Sequence, residues 1–97
     1  MIPINQHRIT DFCKKNDIAF LGVFGSASRN DFGTKSDIDI LVRYARPKGL
    51  FEHSGVALAL ESLFGRKVDL VTDRALSKYI RTNVYRDLMP LYGRQSS

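Results

Sequence analysis

Residues 36–42 of this 97-residue chain, Ser-Asp-Ile-Asp-Ile-Leu-Val, decide the fold. The stretch alternates acidic and apolar residues at its start and is rich in β-branched residues, which predicts a strand over Asp37–Val42. Alternate side chains of a strand point to the same face, so Asp37 and Asp39 are expected to lie about 6.5–7 Å apart on one face. Because Asp is among the poorest strand formers, two carboxylates in one strand need an explanation.

The flanking segments predict a small α/β domain. Ile18–Phe24 is short and continuously apolar, as expected of a buried strand, and Lys67–Val71 and Leu91–Tyr92 predict two more strands. Helical spacing of apolar residues predicts three helices: Asn5–Lys15, Leu50–Phe64 with a left-handed cap at Gly65, and a last helix from a cap at Thr72 or Asp73 to about Arg86. We expect one domain over residues 1–97, with 94–97 as a disordered tail and helices packed on a mixed sheet of three to four strands.

A third carboxylate, Asp69, lies in the middle of the predicted strand Lys67–Val71. If this strand neighbours the one that carries Asp37 and Asp39, three acidic groups meet on one patch of sheet. Two like charges 4 Å apart repel by roughly 4 kcal/mol at an effective dielectric near 20. A domain with a total stability of about 5–15 kcal/mol would not gather three without a counter-ion.

Hard divalent cations are the natural counter-ion for such a cluster. Mg²⁺ binds a few carboxylates together with phosphate oxygens and water. Two such ions can activate an attacking oxygen and stabilise a leaving pyrophosphate. The pattern therefore favours a site for two Mg²⁺ ions, and the alternative is an ordinary solvated strand face.

A Gly25-Ser26 pair directly follows the buried strand and opens a predicted helix. Backbone N–H groups and the positive helix end form an anion site there. Gly25 lets the main chain approach phosphates closely, Ser26 adds a hydroxyl, and Arg29 can reach a triphosphate or pair with Asp31. A Gly-Ser pair alone is more often an ordinary tight turn. Here it lies on an element next to the carboxylates, so a phosphate-binding turn and a metal site together are expected to form one active site.

Composition argues against a membrane protein, a secreted protein and a dedicated nucleic-acid-binding protein. The formal net charge of +5 favours an anionic partner, but no run of five or six basic residues indicates a dedicated nucleic-acid reader. The apolar runs are too short to cross a bilayer, and the N-terminus lacks the apolar stretch of a signal peptide. The single Cys13 cannot form an internal disulfide and is expected in the core. These features predict a cytoplasmic protein without a membrane partner.

The combination of Gly25-Ser26, Ser36-Asp37-Ile38-Asp39 and Asp69 resembles the DNA polymerase β-like nucleotidyltransferase superfamily, and its minimal nucleotidyltransferases in particular. The resemblance covers Phe24 to Tyr92 and implies the polymerase β-like palm fold. Many relatives have Gly after the arginine that matches Arg29, whereas this chain has Asn30, which also tolerates left-handed geometry. The implied roles are nucleotide binding by Gly25, Ser26, Arg29 and Ser36, metal binding by Asp37, Asp39 and Asp69, and activation of the attacking hydroxyl by Asp69.

The resemblance also implies a function. The short members of the family are commonly antitoxins paired with an HEPN-domain ribonuclease toxin, and they transfer AMP from ATP to a tyrosine of that toxin. At this length we expect no separate domain that grips the acceptor, which fits an enzyme that modifies its own protein partner. Two alternatives stay open: a non-catalytic antitoxin that masks its toxin sterically, and a nucleotidyltransferase that acts on a small molecule. The three carboxylates argue against the first alternative, and the expected lack of an acceptor domain argues against the second.

Overall fold

The fold is known from a computed structural model, which describes residues 5–25 and 37–93. The elements in chain order are α1 (Gln6–Lys15), β1 (Ile18–Phe24), β2 (Ile38–Tyr44), α2 (Leu50–Phe64), β3 (Val68–Thr72), a 3₁₀ helix (Asp73–Ala75), α3 (Lys78–Asp87) and β4 (Met89–Tyr92). The strand order is β3-β2-β1-β4, with β1 antiparallel to β2 and β4 and with β2 parallel to β3. This mixed α/β sheet confirms the predicted fold class. None of the described helices is long and apolar enough to cross a membrane.

The first two helices begin and end close to where their sequence signals place them. Asn5 caps α1, because its side chain accepts a hydrogen bond from the His7 N–H at 2.8 Å. Gly65 ends α2 with a φ of +70°, the left-handed geometry that favours glycine. Cys13 is fully buried, and burial raises the pKa of its thiol to about 12. It is therefore the core residue that the sequence predicts.

The two faces of the sheet pack against different helices. Ile38, Ile40 and Val42 of β2 join buried residues of α1 and α2 in one hydrophobic cluster. On the other face, Leu41 packs with Phe20 of β1 and Val84 of α3. Because strand side chains alternate, Asp39 lies on the face that carries Leu41 and α3. The packing of β2 thus fixes the direction in which its central carboxylate points.

The predicted start of the last helix is wrong. Thr72 does act as a cap, but it caps the 3₁₀ helix, accepting a hydrogen bond from the Ala75 N–H at 3.2 Å. Leu76 then takes an extended conformation, with φ −80° and ψ 131°, and packs on the α3 side of the sheet. This extended residue interrupts the helical ladder, so α3 begins at Lys78. Residues 94–97, the expected tail, lie outside the described residues.

A hydrogen-bonded connection that the sequence pattern did not indicate links β2, α2 and β3. The Tyr44 hydroxyl lies 2.9 Å from His53 Nδ1, and His53 Nε2 lies 3.1 Å from the Leu70 carbonyl oxygen. Since a carbonyl can only accept, Nε2 donates to it and Nδ1 accepts from the hydroxyl. Burial, together with the negative charge of Glu52, raises the pKa of Tyr44 to about 12, so the hydroxyl keeps the proton that it donates. The connection ties α2 to both parallel strands.

Two glycines give a matched test of the backbone. Gly93 has a φ of +79°, and a Cβ there would overlap the Ala19 carbonyl oxygen of β1. We expect Gly93→Ala to lower the free energy of unfolding by about 1–3 kcal/mol in urea denaturation, because strained backbone and overlap act together. Gly55→Ala, in α2 with nothing within 4 Å of the added Cβ, should raise it by about 0.5–1 kcal/mol. Similar effects of the two substitutions would contradict this packing of Gly93.

Candidate active site

Asp39 and Asp69 are direct partners in the parallel ladder between β2 and β3. Neighbouring strands lie about 4.7–4.9 Å apart, and partnered residues point to the same face. Asp39 is half-buried and Asp69 is exposed. Like charges directly opposite one another on a sheet are destabilising. The two strands are therefore neighbours, as the convergence of carboxylates requires, and they place a repulsive pair at the centre of the candidate site.

Asp37 is part of the same electrostatic cluster, although its position differs slightly from the prediction. The β2 strand begins at Ile38, whose N–H donates to the Lys67 carbonyl at 2.9 Å, so Asp37 directly precedes the strand instead of opening it. The first pair of the ladder with β3 is Ile38 with Val68. Burial raises the pKa of Asp39, and the negative charges of Asp69 and then Asp37 raise it further. Both other carboxylates thus act on Asp39.

The backbone of Gly25 stands against the Asp39 carboxylate. Gly25 follows Phe24, which is the partner of Asp39 in the β1–β2 ladder, and has a φ of +73°. A Cβ built on Gly25 would lie 2.5 Å from Asp39 Oδ2, closer than real Cβ atoms come to other heavy atoms, so the carboxylate would have to move. Two features therefore favour glycine at this position: the backbone conformation and the neighbouring carboxylate. The second feature is long-range, and sequence reasoning missed it.

The structure therefore brings together four of the seven predicted site residues: Gly25, Asp37, Asp39 and Asp69. The other three, Ser26, Arg29 and Ser36, lie outside the described residues. Their roles in binding a nucleotide stay predictions.

The donor set fits a hard divalent cation that arrives with a phosphate ligand. Within residues 5–25 and 37–93, no three His, Cys, Asp or Glu side chains form a ready-made metal cage. Mg²⁺ does not need one, because it is usually held by one or two carboxylates, with substrate phosphates and waters completing its shell. Asp39 and Asp69 supply such a pair of oxygen donors. Burial and the negative charges of Asp69 and Asp37 raise the pKa of Asp39, so a cation bound there would relieve part of this repulsion.

Asp39→Asn should stabilise the metal-free domain at pH 7. The raised pKa means that the folded domain binds this proton more tightly than the unfolded chain does. Ionised Asp39 therefore lowers stability above its folded pKa, and this effect disappears as the pH falls towards the unfolded value of about 4. Thermal melts in EDTA should show a Tm that the substitution raises by a few degrees at pH 7 and barely changes at pH 4.

The matched control for this melt is Asp11→Asn, which removes an exposed carboxylate from α1. Its Tm should stay close to that of the unmodified chain at both pH values. A lower Tm of Asp39→Asn at pH 7 would contradict a repulsive cluster.

Comparisons with known proteins agree with this geometry. A family model described as a nucleotidyltransferase domain matches residues 7–89. The protein adenylyltransferase MntA of Thermococcus cleftensis is 36% identical over 69 residues, which are 71% of this chain and 70% of that protein. A crystal structure of a toxin-antitoxin with AMP-PNP matches with a TM-score of 0.78 at 29% identity, over 95% of this chain and 76% of that chain.

A second solved structure extends the comparison. It contains a tri-AMPylated HEPN toxin of Shewanella oneidensis in complex with an MNT antitoxin. It matches with a TM-score of 0.71 at 28% identity, over 98% of this chain and 75% of that chain. The resemblance first seen in the Gly-Ser and Asp-x-Asp elements is therefore confirmed over nearly the whole chain. The chain belongs to the nucleotidyltransferase domain family, with relatives that are named protein adenylyltransferases.

Proposed function

We propose that this chain is a Mg²⁺-dependent adenylyltransferase that moves AMP from ATP to a hydroxyl of a partner protein, and that the partner is an HEPN-type toxin. The observation that carries the proposal is the repulsive pair of Asp39 and Asp69, with the backbone of Gly25 against Asp39. Metal ions bound together with a nucleotide would neutralise such a repulsive pair. The relatives supply the nucleotide and partner classes, since one was solved with AMP-PNP and one holds an AMPylated toxin.

The proposed reaction is a substitution at phosphorus. The hydroxyl oxygen of the acceptor forms a bond to the α-phosphorus of ATP, the bond from that phosphorus to the oxygen bridging to the β-phosphate breaks, and pyrophosphate leaves. Asp69 is exposed and helps to accept the proton of the hydroxyl. Bound Mg²⁺, held by Asp37, Asp39 and Asp69, would supply charge neutralisation and Lewis acidity.

The residues beside the carboxylates would position the nucleotide. The missing Cβ of Gly25 lets its backbone lie beside the Asp39 carboxylate, so a phosphate bound with metal at that carboxylate would be near the main chain. Ser26, Arg29 and Ser36 are proposed as further nucleotide ligands on the resemblance alone. A bound triphosphate would then have contacts from both ends of the β1–β2 connection.

The exposure of the site favours a macromolecular acceptor. Asp37 and Asp69 are both exposed, so the side chain of another protein can approach them directly. A purely steric antitoxin would gain nothing from a carboxylate cluster that lowers the stability of its own fold. The cluster therefore favours catalysis over masking alone.

Intact-mass spectrometry of an HEPN-type toxin, incubated with this chain and MgATP, tests the proposal. The toxin should gain one or more AMP units, and Asp39→Asn should reduce the rate of gain by at least about 100-fold, because a metal-binding carboxylate is lost. The control Asp11→Asn removes the same charge from the exposed surface of α1 and should leave the rate unchanged.

Size-exclusion chromatography on the same samples separates catalysis from binding. A stable complex with the toxin and no gain in mass, at any concentration of MgATP, would contradict adenylyl transfer and leave steric masking as the function. Equal rates with Asp39→Asn and Asp11→Asn would contradict the assignment of the site.

A further inference from the structure

A crevice of about 620 Å³ lies at the opposite end of the parallel strands from the candidate active site. It is formed by the last residues of β2 and β3, the loop 45–49, the first turn of α2 and the 3₁₀ helix. Asp39 and Arg43 are four residues apart on β2, which corresponds to about 13 Å along the strand. None of the three carboxylates lines the crevice, although Leu70 and Val71, which follow Asp69 in β3, do.

Basic side chains dominate the lining of this crevice. Asp73 is its one acidic residue, against Arg43, Arg46, Lys48 and Arg74. Lys48 is already neutralised, because its Nζ lies 3.6 Å from Asp17 Oδ2 and 3.9 Å from Glu52 Oε2. Arg46 and Arg74 are exposed, and in the described part of the chain neither forms an ion pair. These two guanidinium groups give the crevice positive charge that an incoming ligand can use.

The inner wall of the crevice is apolar in character. The polar atoms of Tyr44 and His53 are occupied by each other and by the Leu70 carbonyl, and Lys48 Nζ lies 5.9 Å from the centroid of the Tyr44 ring. Their rings meet edge to face, with centroids 5.9 Å apart. Leu50, which is 83% exposed, adds an apolar group at the rim. A ligand that matches this wall has a flat or apolar part beside its negative charge.

The crevice has the size and the chemistry of a ligand site. Its volume falls within the roughly 300–1,000 Å³ typical of small-molecule pockets. Guanidinium groups match the geometry of phosphate with paired hydrogen bonds. Shape, charge and wall chemistry together fit a nucleotide.

We propose that this crevice is a second ligand site, which binds a phosphate-bearing molecule of mononucleotide size through Arg46 and Arg74, without the three carboxylates. The site is independent of adenylyl transfer, so its test needs no catalytic turnover. Without metal, the carboxylate cluster repels phosphates, which weakens binding at the active site, and the crevice variants identify binding in the crevice.

Isothermal titration calorimetry with ATP in EDTA is the direct test. The unmodified chain should bind ATP, and the double variant Arg46→Ala/Arg74→Ala should bind at least about tenfold more weakly, because two charge-assisted contacts are lost. The matched control Lys14→Ala/Lys15→Ala removes two exposed cations from α1 and should change affinity less than about twofold. No binding by the unmodified chain, or equal weakening by both double variants, would overturn the proposal.

Two further measurements fix the location and the size of the ligand. In ¹H–¹⁵N spectra recorded with ATP and EDTA, the amides of Gly49, Leu50 and Arg74 should shift, and shifts confined to Gly25, Asp39 and Asp69 would overturn the proposal. Titration with a short oligoribonucleotide tests whether the crevice binds the phosphates of a nucleic acid instead of those of a free nucleotide. Binding of the oligoribonucleotide without binding of ATP would overturn the assignment to a mononucleotide-sized ligand.

Discussion

The repulsion between Asp39 and Asp69 across the parallel β2–β3 ladder is the interaction on which the account of this chain depends. A fold can place like charges opposite one another only if the surrounding contacts hold both strands in register. Here the register runs through five consecutive pairs, with Ile40 and Leu70 buried directly beside the acidic pair. The hydrophobic core on one face thus holds two carboxylates together on the other.

The remaining features of the site follow from that ladder. Because β1 pairs with the other edge of β2, Phe24 is opposite Asp39, and the next residue must pass the carboxylate without a side chain. Gly25 meets this condition in a left-handed conformation. The connection from Tyr44 through His53 to Leu70 ties α2 to the last residue of β2 and to the middle of β3. One register therefore positions the carboxylates and the backbone of Gly25 beside them.

The carboxylate cluster could be predicted from the sequence because alternate residues of a strand point to the same face. Three aspartates in predicted strands indicated a shared patch, and the sheet confirms the pairing that this patch needs. The sequence did not predict the 3₁₀ helix, because Thr72 can cap a 3₁₀ helix as well as an α-helix. Only the extended conformation and packing of Leu76 show that the α-helix begins later. His53 was missed because its partners are 9 and 17 residues away. The basic crevice was missed because its arginines are scattered in the sequence and meet only at the strand ends.

Paramagnetic broadening by Mn²⁺ tests the central claim, that the carboxylate cluster exists to hold a divalent cation. Sub-stoichiometric Mn²⁺ added to the ¹⁵N-labelled chain should broaden the amides of Gly25, Asp39 and Asp69 before any others, and Asp39→Asn should abolish that preference. Broadening that begins elsewhere, such as around Glu52, or a pattern unchanged by Asp39→Asn, would contradict the account.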